Sequence, residues 1–401
     1  MFTKVFQFIK QEIVFTIAFL LAIVSCFFVH PSKEYLEYID FHVLALLFCL
    51  MAVVNGFSSI GVFRQLGEAL LQKLSGTRSL AWALILLCFF SSMLITNDVA
   101  LITFVPFTIL VLNLVQKQDL FIRFIVLETI AANLGSMLTP LGNPQNLYLY
   151  TISGMSLGTF ILTLLPYSLV ALVLLFLCTR FLPNDSITIQ PLQKSDTTNG
   201  SSTDTPDNTG LQKPSNYQLL LVLYIVLFVL CLLVVLHVLP FFIVLAIVGI
   251  TVLIFDRKSL KEVDYVLLLT FVCFFIFIGN MKNIPAVHQL LSEIIVGREF
   301  LSGVLASQVI SNVPAAILLS GFTEQLTPLL VGVNIGGLGT LIASLASLIS
   351  YKLYIKTADS KTSRYLLVFT LYNVIFLAIM IPLYYLLTTM SSTMLTVSTT
   401  L

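Results

Sequence analysis

The chain has 401 residues, 58% of them hydrophobic and 10% charged, with a formal net charge of +1 and a mean hydropathy of +1.03. A soluble domain averages about 45–50% apolar and about 25% charged residues, so this balance excludes an ordinary soluble enzyme, a disordered chain and a nucleic-acid-binding protein. It specifies an all-α polytopic membrane protein, whose one certain neighbour is the lipid bilayer.

A spanning helix needs about 20 apolar residues. The first such run covers 12–29; no small-residue cleavage site follows it, so a retained helix rather than a signal peptide is expected. A second run covers 41–58, and 63–75 reads as an amphipathic interfacial piece. Region 79–115 holds two apolar pieces split by Thr96-Asn97-Asp98, the pattern of a re-entrant hairpin. Region 120–148 is long but interrupted by Gly, Pro and Asn, as in a broken helix, and 157–181 is an uninterrupted span. Residues 183–217 are rich in Ser, Thr, Asn and Asp and bury too little apolar area to offset their ordering entropy, so a flexible cytoplasmic linker is expected. Spans at 218–238, 241–255 and 265–281 follow, then an amphipathic piece at 286–296. A second hairpin at 299–322, a second broken helix at 326–351 and a last span at 363–388 complete the chain. The reading is of about nine crossings and two hairpins, in an N-terminal unit 1–182, the linker 183–217 and a C-terminal unit 218–401.

Orientation follows from the basic residues, which concentrate on the cytoplasmic side. With the N-terminus in the cytoplasm and each hairpin returning to its own side, 17 Lys and Arg fall inside and only Lys33, Lys282 and Arg298 outside. The expected product is a multi-pass protein of the cell (inner) membrane with its C-terminus outside. The six cysteines all lie in apolar stretches without metal-ligand spacing and read as small core hydrophobes.

The two halves resemble each other. ITNDVAL in the first hairpin aligns with ISNVPAA in the second at an offset of 215 residues. NLGSMLTPLGNPQNL at 133–147 aligns with NIGGLGTLIASLASL at 334–348. Four crossings per half would leave both in the same orientation; the extra helix at 218–238 flips the second. Inverted-topology repeats of this kind are the architecture of secondary transporters.

Irregular backbone at membrane depth must line a protein-enclosed cavity, because lipid cannot satisfy its N–H and C=O groups. The four breaks therefore supply the candidate substrate- and ion-binding residues: Ser92, Thr96, Asn97 and Asp98; Asn133, Gly135, Thr139 and Asn143; Ser307, Ser311 and Asn312; Asn334, Gly336 and Thr340. Helix N-termini suit an anion, and unwound carbonyls and side-chain oxygens suit sodium. Helix packing by small residues is the plainer alternative, which four paired breaks make the weaker one. Asp98 and Glu128 are the acidic residues well inside apolar segments and the possible coupling carboxylates. Glu128 has a second reading, as an ion-pair partner of nearby Arg123. Tyr148 and Tyr150 read as interfacial aromatics.

TNDVAL with NLGSMLTPLGNPQNL, then SNVPAA with NIGGLGTLIASLASL, resemble the ion transporter superfamily. Its relevant branch holds citrate-transporter-like permeases, arsenite permeases, sodium/proton antiporters and divalent anion:sodium symporters. The resemblance implies an elevator-type carrier, a homodimer, and hairpin tips that bind sodium and substrate at Thr96, Asn97, Ser311 and Asn312. Where the symporters carry Thr at each tip, this chain has Asp98 and Val313, a departure from the dicarboxylate pattern toward the arsenite-permease-like side.

The expectation is a secondary active transporter of a small anion, a carboxylate or inorganic oxyanion, coupled to sodium or protons, with no cofactor beyond possible sodium ions. A sodium/proton antiporter or an arsenite-type efflux permease is the alternative, and a passive channel is a more distant one. An enzyme is not expected: there is no HExxH, no second membrane-buried Asp to pair with Asp98, and no GxxxxGK for ATP.

Overall fold

The computed structural model describes residues 12–62, 65, 76–186, 216–236, 238–358 and 360–400. Most of the expected linker, 187–215, and most of the amphipathic piece at 63–75 lie outside the described residues. The first half contains α1 (Ile13–Cys26), the short α2 (Tyr35–Tyr38), α3 (Phe41–Ser59), α4 (Thr77–Ile95) and α5 (Asn97–Leu114). After a 3-10 turn at Gln118–Leu120 come α6 (Phe121–Ser136), α7 (Pro144–Ser153) and α8 (Leu157–Arg180). The second half contains α9 (Tyr217–Val235), α10 (Phe241–Phe255), α11 (Arg257–Lys261), α12 (Tyr265–Lys282) and α13 (Pro285–Ile295). It ends with α14 (Glu299–Ile310), α15 (Asn312–Ser320), α16 (Leu326–Gly336), α17 (Leu345–Tyr354) and α18 (Thr362–Thr400). Among the described residues the backbone is otherwise irregular, apart from one isolated bridge between Gly76 and Ser186.

Seven of the described helices are long and apolar enough to cross a membrane: α3, α4, α5, α8, α9, α12 and the Thr362–Met390 part of α18. Their outward faces are oily. Phe41, Phe90, Ile102, Leu162, Val222, Leu269 and Leu367, one from each, are all more than 50% exposed, a surface that only lipid would cover. The protein is a multi-pass membrane protein. The seven differ from the nine crossings expected because four of the nine fall short and two hairpin arms qualify instead: α1 has 14 residues and α10 has 15. The broken helices are cut into pieces of 16 and 10 residues or 11 and 10 residues, each too short to span alone. The arms α4 and α5, expected to be short, run to 19 and 18 residues, about 27 Å at 1.5 Å per residue.

Those two arms nevertheless fold back on each other. At the start of α4, the Thr77 N–H donates to the Asp185 carbonyl (3.0 Å) and Arg78 Nε to the Leu182 carbonyl (2.7 Å). Just past the end of α5, Lys117 is ion-paired with the same Asp185. In the second half, Thr323, beyond the end of α15, donates to Glu299 Oε1 at the start of α14 (2.9 Å).

Packing divides the helices into two groups. One holds α1, α3, α9, α10, α11 and α12; the other holds α4–α8 and α14–α18. In the first, Asn280 of α12 donates to Ser25 Oγ of α1 (2.9 Å) and to Tyr35 (2.8 Å). The Tyr224 ring of α9 lies against Gly56 of α3, where a Cβ would come within 2.0 Å of it. In the second group α6 is the axis. Apart from Arg123 in its first turn it is buried on every side, as befits a helix that is apolar nearly all round.

Candidate functional site

Each helix break has a definite geometry. At the first tip Thr96 sits at φ 70, ψ 150; at the second, Ser311 sits at φ 75, ψ 154. Residues other than glycine rarely adopt this region, at a cost of about 1–3 kcal/mol, so two such residues 215 positions apart with matching angles are held there by their surroundings. The hold is visible. The Asn97 N–H donates to the Gly142 carbonyl and the Asn312 N–H to the Ala343 carbonyl, both at 3.0 Å. Each tip is thus bonded to the break of the helix beside it, between α6 and α7 in one case and between α16 and α17 in the other.

The side chains then cross between halves. Asn133 Oδ1 accepts from Asn97 Nδ2 (3.0 Å) and from Ser344 Oγ (3.0 Å), while Asn133 Nδ2 donates to Ser347 Oγ (3.3 Å). Asn334 Oδ1 accepts from Asn143 Nδ2 (3.3 Å), and Asn334 Nδ2 donates to Asn146 Oδ1 (2.6 Å). Asn133, Asn143 and Asn146 lie 201 positions before Asn334, Ser344 and Ser347. Each helix-ending Asn therefore reaches the start of the opposite half's second piece, at matching positions. The flanking loops match too: Thr139 Oγ1 donates to the Met93 carbonyl and Thr340 Oγ1 to the Gln308 carbonyl (2.9 Å).

Beside this crossing lies a cavity of about 280 Å³, lined by Thr96, Asp98, Asn143 and Pro144 from one helix group and by Leu47, Leu50 and Asn55 from the other. Its charged lining is Glu12, Asp98, Glu262, Asp264 and Lys352, four carboxylates to one ammonium. Asp98 Oδ1 is buried without a hydrogen-bond partner. A small cavity with mostly apolar walls, the amides of Asn55 and Asn143, the Thr96 hydroxyl and an unpartnered carboxylate oxygen at Asp98 has the chemistry to hold a cation or a hydrogen-bonding solute.

The predicted site residues divide into three sets. Thr96, Asp98 and Asn143 line the cavity. Asn97, Asn133, Asn312 and Asn334 are each at most 5% exposed and hold the break segments together, Asn312 through its backbone N–H; Ser311 is buried beside them, its Oγ 3.5 Å from Asn312 Oδ1. The rest face elsewhere. Ser92 and Ser307 are buried and donate back to their own helices, to the Phe89 and Gly303 carbonyls. Gly135 and Gly336 are contact points where α6 and α16 meet the first hairpin arms, Gly135 against the Phe89 carbonyl and Gly336 against Val304 and Ser307. Thr139 and Thr340 bond to carbonyls in the last turns of α4 and α14, and Thr340 is exposed.

Glu128 departs from the ion-pair reading. It is fully buried, accepts from Thr108 of α5, and leaves Oε2 without a partner. Arg123 is exposed; five residues along a helix turn the two side chains about 140° apart, so they do not meet. Tyr148 and Tyr150 are likewise not interfacial: both are buried, and Tyr148 bonds Ser320 (2.9 Å).

Sequence reasoning missed Gln308, Asn146, Ser344, Ser347 and Asn373. Gln308 Nε2 donates to the Gly336 and Leu338 carbonyls (both 2.8 Å) and its Oε1 accepts from the Thr340 N–H (2.9 Å), clamping the second break. Asn373, buried in α18, accepts from the Gly339 N–H (3.3 Å). Asn146, Ser344 and Ser347 stand inside the aligned motifs, and their polarity was the available signal.

Comparison with known proteins decides the family. A family model described as citrate transporter matches residues 5–328. The chain belongs to the citrate transporter family. With it the chain falls in the ion transporter superfamily. An uncharacterized transporter of Methanocaldococcus jannaschii is 31% identical over 339 residues, covering 84% of this chain and 86% of its own. The inner membrane protein YbiR of Escherichia coli is 33% identical over 345 residues, covering 84% of this chain and 87% of its own. The silicon efflux transporter LSI3 of Oryza sativa is 35% identical over 144 residues, 35% of this chain and 29% of its own. The chain is a membrane transporter.

Proposed function

We propose that this family member is a secondary active transporter of the cell membrane that moves a small anion, a carboxylate or inorganic oxyanion, coupled to sodium or protons by alternating access. The two halves are inverted-topology repeats. α4–α5 and α14–α15 are their re-entrant hairpins, and the paired breaks are the shared binding region. The observation that carries this reading is the crossed network, in which each Asn at a helix end (Asn133, Asn334) engages the opposite half at positions 201 residues apart. A dry helix-packing interface has no need of four interrupted backbones. The α4–α8 and α14–α18 group is the moving body and the α1, α3, α9–α12 group the scaffold, since the cavity lies between them. The relative named for silicon efflux supports a small oxyacid as the solute class. In this reading Thr96, Asn97, Ser311 and Asn312 contact ion and solute, and Asp98 carries the coupling charge.

The carboxylate excess around the cavity favours one alternative, cation exchange in which sodium and protons alternate at Asp98 without anion movement. Proteoliposomes with imposed sodium or pH gradients separate the two. Gradient-driven accumulation of labelled citrate, succinate, sulfate or arsenite is expected. Sodium–proton exchange with no solute flux would replace the main reading with the alternative, and unsaturable downhill leak would replace both with a channel. Asn97→Ala and Asn312→Ala are each expected to abolish the flux while the protein remains folded; wild-type flux from both would place the site elsewhere.

A further inference from the structure

Where α5 and α17 end and α6 and α18 begin, a second cavity of about 830 Å³ opens, unconnected with the residues of the crossed network. Its charged lining is Lys356, Lys361, Arg364 and Asp119, three cations to one carboxylate. Among the described residues no carboxylate oxygen lies within the 4.0 Å of an ion pair from any of the three cations. The chain is pinned at Lys361. The Lys361 N–H donates to the Tyr354 hydroxyl (2.8 Å), and the Tyr354 ring stacks on Tyr365 of α18 with centroids 4.8 Å apart. The cavity also has an oily border. Pro106, Ile109 and Ile122 line it, and Leu110, Leu114 and Leu367 beside it are 44%, 50% and 66% exposed.

A cationic recess at the end of spanning helices, continuous with bare apolar helix faces, matches a ligand with a phosphate at one end and hydrocarbon at the other. We propose that this cavity binds the phosphate headgroup of an anionic phospholipid, with its acyl chains lying along α5 and α18. Free phosphate shares the charge but has no use for the apolar border, so the lipid is the source favoured here. Binding would link the end of α5, a hairpin arm, to the start of α18.

The test uses the full-length protein in phosphatidylcholine nanodiscs, with phosphatidylglycerol or inorganic phosphate added in separate arms, read by thermal shift and by lipid retained in native mass spectrometry. Phosphatidylglycerol is expected to raise the melting temperature and to be retained, and inorganic phosphate at equal concentration to do neither. Lys361→Gln with Arg364→Gln should weaken the lipid's apparent affinity about 25-fold, from roughly fivefold per basic side chain lost. Arg364→Lys should retain it. If the double variant does not fold, Lys361→Gln alone, at an exposed position, should show the fivefold loss. Equal stabilisation by inorganic phosphate would overturn the lipid assignment. Equal response to phosphatidylcholine, or unchanged affinity in the variants, would overturn the site.

Discussion

Glu128 shows what a single side chain does at this depth. One of its oxygens accepts the Thr108 hydroxyl and the other has no partner, in a position with no exposed surface. A buried donor left unpaired costs about 1–3 kcal/mol, and removing a side chain of this size from a packed interior adds a cavity. Glu128→Gln keeps both the volume and an acceptor for Thr108, so its melting temperature should stay close to wild type. Glu128→Ala removes both and should destabilise by about 2–4 kcal/mol. Equal stability of the two variants would show that the Thr108 contact holds nothing together. The same logic separates Asn97 from Ser92 and Ser307. The Asn97 amide ties its tip to Asn133 of α6, whereas each serine is satisfied by its own helix, so Ser92→Ala should cost less in transport than Asn97→Ala.

Among the elements, close approach of α6 to α4 places the first break against its hairpin tip. That approach depends on Gly135, where a Cβ would stand 2.2 Å from the Phe89 carbonyl oxygen. The obstacle is backbone and cannot swing aside, so Gly135→Ala should cost about 1–3 kcal/mol by overpacking and displace the tip hydrogen bond from Asn97 to Gly142. Gly249 of α10 has nothing within 4 Å of its virtual Cβ. Gly249→Ala should leave stability unchanged or raise it by up to about 1 kcal/mol through helix propensity. Thermal unfolding of the two alanine variants checks the contrast, and similar melting temperatures would refute the packing argument. By comparison the Lys117–Asp185 pair at the base of the hairpin, with side chains 29% and 48% exposed, is a surface contact of about 0–1 kcal/mol.

For the molecule as a whole, the α1, α3, α9–α12 group has a polar junction at Asp256, between α10 and α11. Asp256 Oδ2 accepts hydroxyls from Ser59 of α3 (2.9 Å), Tyr224 of α9 (2.8 Å) and Ser259 of α11 (2.6 Å). Burial opposes the charged form of Asp256, but these donors, Ser259 foremost, outweigh it and hold its carboxyl below the usual aspartate value. A lowered native value means that the stabilising contribution is present above the unfolded value of about 3.9 and is lost as pH falls through the native one. Wild type should therefore exceed Asp256→Asn in melting temperature at pH 7, and the gap should narrow as pH falls below about 3.9. A gap unchanged down to the lowest pH at which the protein stays folded would remove this carboxylate from the group's stability. The cavity containing Asp98 lies between this group and the other, so a firm junction on one side leaves relative movement to the interface where the solute is proposed to bind.

Composition and pattern alone determined that the chain crosses a membrane as helices, because 58% apolar residues leave no other way to cover its surface and satisfy its backbone. They also located the interruptions at Thr96, Ser311 and the segments after Asn133 and Asn334, since Asn, Gly and Pro inside oily runs are costly unless the backbone there is enclosed by protein. What only the tertiary structure decided is which polar groups meet. Asn133 finds Ser344 and Ser347, Asn334 finds Asn143 and Asn146, Gln308 clamps the second break, and Glu128 turns to Thr108 rather than Arg123. The reason is rotational. A helix break is encoded by a few adjacent residues, but a partner about 200 positions away is chosen by the azimuth and depth at which two separate helices dock, and no local pattern records either.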